Sequence, residues 1–163
     1  MDPAKPAYFE LNFRPNIELI SVVRRFVADF YEQILGSPDA TSRLALATHE
    51  LLENAVKYST NGQTTIQIQA DRTGPRRKVR ISTTNQADAA HVAALRAQFA
   101  EMQACGDADA YYQTLMLRTA KRKDGSGLGI ARIMVEGEMT MHCELGDDTV
   151  RIMAETEIRE EAA

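Results

Sequence analysis

Residues 47–60 read ATHELLENAVKYST, and this stretch decides the fold. Leu46, Ala47, Leu51, Leu52, Ala55 and Val56 recur at helical spacing and make an apolar stripe. Glu50, Glu53, Asn54 and Lys57 are set into it. Glu50 and Asn54 stand at i and i+4, so they share one face of the helix. A carboxylate or an amide buried without a partner is costly. The two groups therefore reach solvent at the edge of the stripe or face a polar cavity. Alone, the pair reads as ordinary charge on a helix flank.

Around this helix the chain alternates between the two regular periodicities. YFELNFRP (8–15) alternates and stops at Pro15, as a first strand does. Residues 17–35 place Ile17, Ile20, Val23, Val27, Phe30 and Ile34 near helical spacing, with Asn16 as cap. GSPDA (36–40) ends that helix, and Asp39 or Thr41 opens the next, which runs to about Tyr58 and leaves through STNGQ (59–63). TTIQIQADR (64–72) and KVRISTTN (78–85) alternate on either side of TGPRR, the pattern of an antiparallel hairpin. Two helices are expected over 87–104, through Val92, Leu95, Phe99 and Met102, and over 106–123, capped by Asp107 or Asp109. A short helix over 130–138 and a closing hairpin, MTMHCEL (139–145) with TVRIMAETEI (149–158), complete the chain. The order β α α β β, a helical insertion, then α β β is an α+β pattern. It predicts a two-layer sandwich in which a mainly antiparallel mixed sheet is covered on one face by helices.

The 163 residues suit one domain, 1–163, and no linker divides them. A net charge of −4 argues against broad binding to nucleic acid or to anionic membrane, so neither is expected as a partner. No apolar run approaches the ~20 residues of a membrane span, and the N-terminus lacks a signal pattern. A cytoplasmic location is the expectation. Cys105 and Cys143 have no metal or redox spacing and are expected to be free thiols.

A second stretch changes the weight of the first. DGSGLGIARIM (124–134) sets Gly125, Gly127 and Gly129 at alternate positions just before a helix. Glycines allow positive φ and close backbone approach. The amides of the helix start that follows can hold an anion, typically phosphate. A basic helical segment precedes the loop, so it is not the dinucleotide fingerprint, which follows a strand. A flexible joint between helices is the plainer alternative.

Together the two stretches resemble one family. HELLENAVKYS is similar to the N-box of the GHKL superfamily, which gyrase B, the ninety-kilodalton heat-shock chaperones, sensor histidine kinases and the mismatch-repair MutL proteins share. GSGLG resembles its second glycine box. The order of elements fits over roughly residues 8–157, so the resemblance implies the Bergerat, or histidine-kinase-like ATPase, fold. The layout is most similar to stand-alone anti-sigma-factor serine/threonine kinases. The resemblance implies ATP and Mg²⁺ as cofactors, with Asn54 as the Mg²⁺ ligand. It makes Glu50 the catalytic residue that activates the attacking group. It implies that Lys57 reaches a phosphate, that Tyr58 lines the adenine pocket, and that Gly125, Gly127 and Gly129 present amides to the phosphates. For Lys57 and Tyr58 a surface lysine and a half-buried aromatic remain equal alternatives.

One box departs from the pattern. The superfamily's Asp-x-Gly-x-Gly places an aspartate against the adenine amino group. Here the strand VRISTTN puts Asn85 at that position, followed by Gln86, Ala87 and Asp88. An Asn carbonyl still accepts a hydrogen bond, but without charge. Residues from about 86 to 124 would be the ATP lid. Lys121, Arg122 and Lys123 at its end could draw in phosphates, although cations commonly close a helix C-terminus. His49 lacks the second histidine of a His-Glu-x-x-His zinc site. No dimerisation helix with a phosphoacceptor histidine stands before residue 8, so autophosphorylation is not expected.

Two functions follow. One is an ATP-dependent kinase acting on a serine or threonine of a small protein, an anti-anti-sigma-like antagonist or a sigma-factor-like regulator. The other is a non-catalytic protein-binding module with a weakened pocket. A homodimer is compatible with either.

Overall fold

Alternation of small and branched residues builds the sheet, and the helices cover the side on which those residues fall. The structure, a computed structural model, describes Asp2, residues 4–120 and residues 127–160. In chain order its elements are β1 (Ala7–Phe13), α1 (Ile17–Leu35), α2 (Pro38–Tyr58), β2 (Thr64–Ala70) and β3 (Arg76–Gln86). Then come α3 (Ala89–Cys105), α4 (Ala108–Thr119), α5 (Leu128–Val135), β4 (Thr140–Leu145) and β5 (Thr149–Arg159). The strands form one five-stranded sheet in the order β1-β2-β3-β5-β4. All four pairings are antiparallel, so among the described residues the mixed component is absent.

Ile66 and Ile68 of β2, Val79 and Ile81 of β3, and Val150, Ile152 and Ala154 of β5 are buried and form the floor of the core. Helix α2 lies on β2, β3 and β5. Leu44, Ala47, Leu51, Leu52 and Ala55 on α2 are fully buried, while Leu46 and Val56, expected in the same stripe, are half-buried. Helix α1 packs on α2 through Val23, Val27 and Tyr31. Tyr31 gives its phenolic proton to Thr48 Oγ1 at 3.2 Å, because the Thr48 hydroxyl proton is committed to the Leu44 carbonyl at 2.8 Å. Arg77 of β3 donates to the carbonyls of Ile34 and Leu35 at 3.2 and 3.1 Å, which satisfies the C-terminal end of α1.

Several boundaries differ from expectation for local reasons. Helix α2 starts earlier than Asp39 or Thr41. Ser37 is its cap, accepting from the Ala40 amide at 3.3 Å, and Pro38 occupies the first position, where its fixed φ suits a helix. Thr41 turns its hydroxyl to Glu32 instead. Strand β1 ends at Phe13, opposite Thr64, because β2 begins there. Helix α5 begins at Leu128 rather than Ile130 and ends at Val135. A Cβ on Gly137 would stand 2.4 Å from the Ile133 carbonyl oxygen, so the chain can fold back there only through glycine. Ile17, counted in the apolar set of α1, is 81% exposed. Helices α3 and α4 pack onto the rest of the fold. Val92, Leu95, Phe99 and Met102 of α3 and Tyr111 of α4 are buried against the rest of the core.

Leu52 is 0% exposed, so Leu52→Ala should remove about 2–5 kcal/mol of stability. Urea unfolding should show a lower midpoint with an unchanged m-value.

Candidate functional site

The burial of α2 fixes its rotation about its own axis, and that rotation aims the polar pair. Glu50 falls at the edge of the buried stripe, against α5, and is 9% exposed. Its Oε1 accepts from Arg132 Nη1 at 2.6 Å. Its Oε2 lies against Gly129, where an added Cβ would be 2.9 Å away. Gly129 is thus required first for its lack of a side chain. Arg132 also donates through Nη2 and Nε to Glu136 Oε2, at 3.1 and 3.4 Å. Tyr112 of α4 donates its hydroxyl to Glu136 Oε1 at 3.3 Å. Burial raises the Glu50 carboxyl above the ordinary carboxylate range, and Arg132 pulls it part of the way back. Glu53 and Glu136 push it up further and His49 opposes them. A carboxyl raised in this way holds its proton more tightly than an exposed one does.

One turn further along α2, Asn54 lines a cavity of about 170 Å³. Tyr58, Gly127, Gly129, His91 and Gln98 contribute to the same cavity. Gly127 has φ 100°, which favours glycine, and it caps α5 without any side-chain hydrogen bond. The first-turn amides of α5 therefore have no capping side chain and can serve an anion. Gln98 Nε2 donates to the Gly127 carbonyl at 3.3 Å and ties α3 to the glycine turn. Glu50 does not itself line the cavity; it stands behind Gly129.

At Tyr58 the cavity is occupied by a second ring. The rings of Tyr58 and His91 stack at 3.6 Å with 9° between their planes. Lys57 Nζ sits 5.3 Å from the Tyr58 ring centre, with an exposed side chain at the rim. Burial lowers the His91 pKa, Asp88 opposes this and Lys57 adds to it, which favours the neutral imidazole. Asn85 lies in a neighbouring cavity of about 210 Å³ at the end of the sheet, with Asn61 and Thr149. Its Nδ2 donates to the Gln86 carbonyl at 3.1 Å, and the Thr60 amide donates to that same oxygen at 3.0 Å.

The structure thus brings together Asn54, Tyr58, Gly127 and Gly129, with Glu50 one glycine behind them. It leaves Lys57 at the rim and Asn85 next door. Gly125 and the basic triplet Lys121, Arg122 and Lys123 lie outside the described residues. Sequence reasoning missed Arg132, His91 and Gln98. Arg132 carried a signal, as the one cation inside the apolar helix LGIARIMV. His91 carried none.

A model of the histidine kinase-like ATPase domain matches residues 13–154, most of the chain. The chain belongs to that family. Among solved structures, a chain of the SiaB–SiaC complex from Pseudomonas aeruginosa superposes with a TM-score of 0.65. It is 14% identical, and the match covers 95% of this chain and 92% of that one, which shows a shared fold. No curated protein matches the chain in sequence. No helix among the described residues is long and apolar enough to cross a membrane.

The residues present fit the phosphate end of the nucleotide that the family implies. An uncapped helix start and the Asn54 amide, which has no hydrogen-bond partner among the described residues, share one cavity there. The base end fits only if His91 moves, since ligand pockets usually enclose about 300–1,000 Å³.

The raised Glu50 carboxyl sets the sign of a pH effect. Above its unfolded value of 4.5, the folded chain holds this proton more tightly than the unfolded chain does. Its contribution to stability is present below that value and is lost as pH rises through the folded value. Glu50→Gln should therefore gain stability over the parent at pH 7 and gain less at pH 4. Thermal melts at both values check this.

Proposed function

We propose that the chain is a Mg-ATP-binding regulatory protein that phosphorylates a serine or threonine of a small signalling partner. One observation carries the reading: Asn54 and the open start of α5 share a cavity, and a pKa-raised glutamate stands directly behind its glycine wall. In this reading the Asn54 carboxamide oxygen is the protein ligand of Mg²⁺. The α5 amides and Gly127 hold the phosphates, and Tyr58 carries the adenine once His91 has left its ring. Lys57 swings from the Tyr58 ring to a phosphate. Asn85 offers a carbonyl to the adenine amino group from the adjoining cavity, and Gly125 belongs to the same phosphate loop. Mg-ATP, when bound, supplies the γ-phosphoryl group and the metal charge that screens it. Glu50 takes the proton of the incoming hydroxyl as the new P–O bond forms and ADP departs.

A protein partner is supported by the fold neighbour, which is one chain of a complex of two proteins. We assign that partner to the anti-anti-sigma-like antagonists or sigma-factor-like regulators, place the reaction in the cytoplasm, and allow for a homodimer.

A second reading, a binding module that sequesters its partner without catalysis, is favoured by one arrangement. The Tyr58 ring is covered by His91, and Asn85 stands outside the cavity. Calorimetric titration with Mg-ATP separates the two. The kinase reading expects binding that weakens at least about tenfold in Asn54→Ala, as loss of a metal ligand should. It also expects label transfer to a partner that disappears in Glu50→Gln. Saturable binding with no transfer to any partner would leave the sequestering module. No binding at millimolar nucleotide would defeat the nucleotide part of both.

A further inference from the structure

The ion pair on Glu50 has geometry beyond what a buried carboxylate needs. The two carboxylate oxygens are treated differently. Oε1 is held by Arg132 at 2.6 Å, and Arg132 does not line the cavity. Oε2 has no hydrogen-bond partner among the described residues and lies against Gly129, the residue that separates it from the cavity. Arg132 is itself fixed from its other edge, where Glu136 Oε2 accepts from Nη2 and Nε. The opposite oxygen of Glu136 accepts from Tyr112 on α4. One planar guanidinium thus bridges α2 and α5, and the next carboxylate bridges α5 and α4. A guanidinium suits this task because its fork is rigid and always charged.

We propose that Arg132 is a positioning residue: it holds Glu50 by Oε1, keeps Oε2 turned to the glycine wall of the cavity, and links that orientation through Glu136 and Tyr112 to helix α4. The proposal rests on the reading of Glu50 as the proton acceptor. Its consequence is that the placement of the lid helix and the state of the acceptor are coupled. A shift of α4 that draws Tyr112 from Glu136 leaves Glu136 and Glu50 to compete for one cation. The charged and titratable groups facing Glu50 are His49 and Glu53 on α2 and Arg132 and Glu136 on α5, with Tyr112 on α4 reaching it only through Glu136.

The test uses the full chain without nucleotide. Carbon-detected NMR follows the Glu50 carboxyl against pH in the parent, Arg132→Gln, Arg132→Lys and Glu136→Gln. Loss of the Arg132 cation should move the Glu50 titration to higher pH. Loss of the Glu136 anion should move it to lower pH, and Arg132→Lys should fall between the parent and Arg132→Gln. These signs establish that Arg132 and Glu136 set the state of Glu50, and the split between kcat and nucleotide affinity separates positioning from a purely structural role. Hydrogen exchange in α4 should quicken in Arg132→Gln and in Tyr112→Phe. With the partner protein, Arg132→Gln should lower kcat at pH 7 about tenfold or more and move the acid limb upward, while nucleotide affinity stays within about twofold.

An unchanged Glu50 titration in Arg132→Gln, or shifts of the same sign in Arg132→Gln and Glu136→Gln, would overturn the proposal. If Arg132→Gln does not fold, Arg132→Lys and Glu136→Gln decide by the same signs. If the parent transfers no phosphate, the kinase reading fails separately, and the nucleotide-free titration still decides whether Arg132 sets the state of Glu50.

Discussion

The site depends on the burial of α2 across the middle of the sheet. That helix is half core and half wall, and the two roles cannot be adjusted separately. Its apolar stripe sits on β2, β3 and β5, and the stripe sets the angle at which every other side chain leaves the helix axis. Glu50 and Asn54, one turn apart, are thereby presented along a single line toward α5. Rotating the helix by one residue would bury Asn54 and strand Glu50 away from Arg132. Close packing of the core makes such a rotation expensive.

Against this fixed wall the other side of the cavity is built from weaker constraints. Helix α5 begins on a glycine in the left-handed region, with no capping side chain, so its start is held mainly by its neighbours. Three links reach it: the carboxylate of Glu50 through Arg132, the amide of Gln98 at Gly127, and the Tyr112–Glu136 bond. One of these comes from α3, which lines the cavity, and one from α4. Helix α5 is also seated by Ile130, Ala131 and Ile133, so apolar burial holds both walls and the polar links set the finer placement of the second. Binding elements are commonly drawn from the less stable part of a fold.

Most of the fold was legible in the sequence because it rests on short-range periodicity. The strict alternation of Ile66 and Ile68, the stripe through Leu51 and Ala55, and the caps at Asn16 and Asp107 each depend on neighbours within a turn or two. Glu50, Asn54, Gly127 and Gly129 could be singled out for the same reason, since they fall in two compact motifs, and the structure brings Asn54 and these two glycines to one cavity. What sequence could not show joins distant residues. Arg132 meets Glu50 across 82 positions, and His91 covers Tyr58 from another helix. Neither contact leaves a local periodic trace. The start of α2 was misplaced because Ser37-Pro38-Asp39 offers several cap-like residues in a row, and only the backbone shows which one is used.

The strand order has a consequence for how the chain is made. Residues 149–159, the strand of this sheet made last, do not add to an edge but lie between β3 and β4. Until they arrive, β3, whose eleven residues all pair with β5, keeps one side open. The N-terminal half can collapse around α1 and α2 while it is still being synthesised. The sheet beneath α2 is incomplete until β5 has been added. A chain without β5 thus carries an unpaired strand edge of the kind chaperones recognise. The wall that carries Glu50 and Asn54 gains its full support only when that strand is in place.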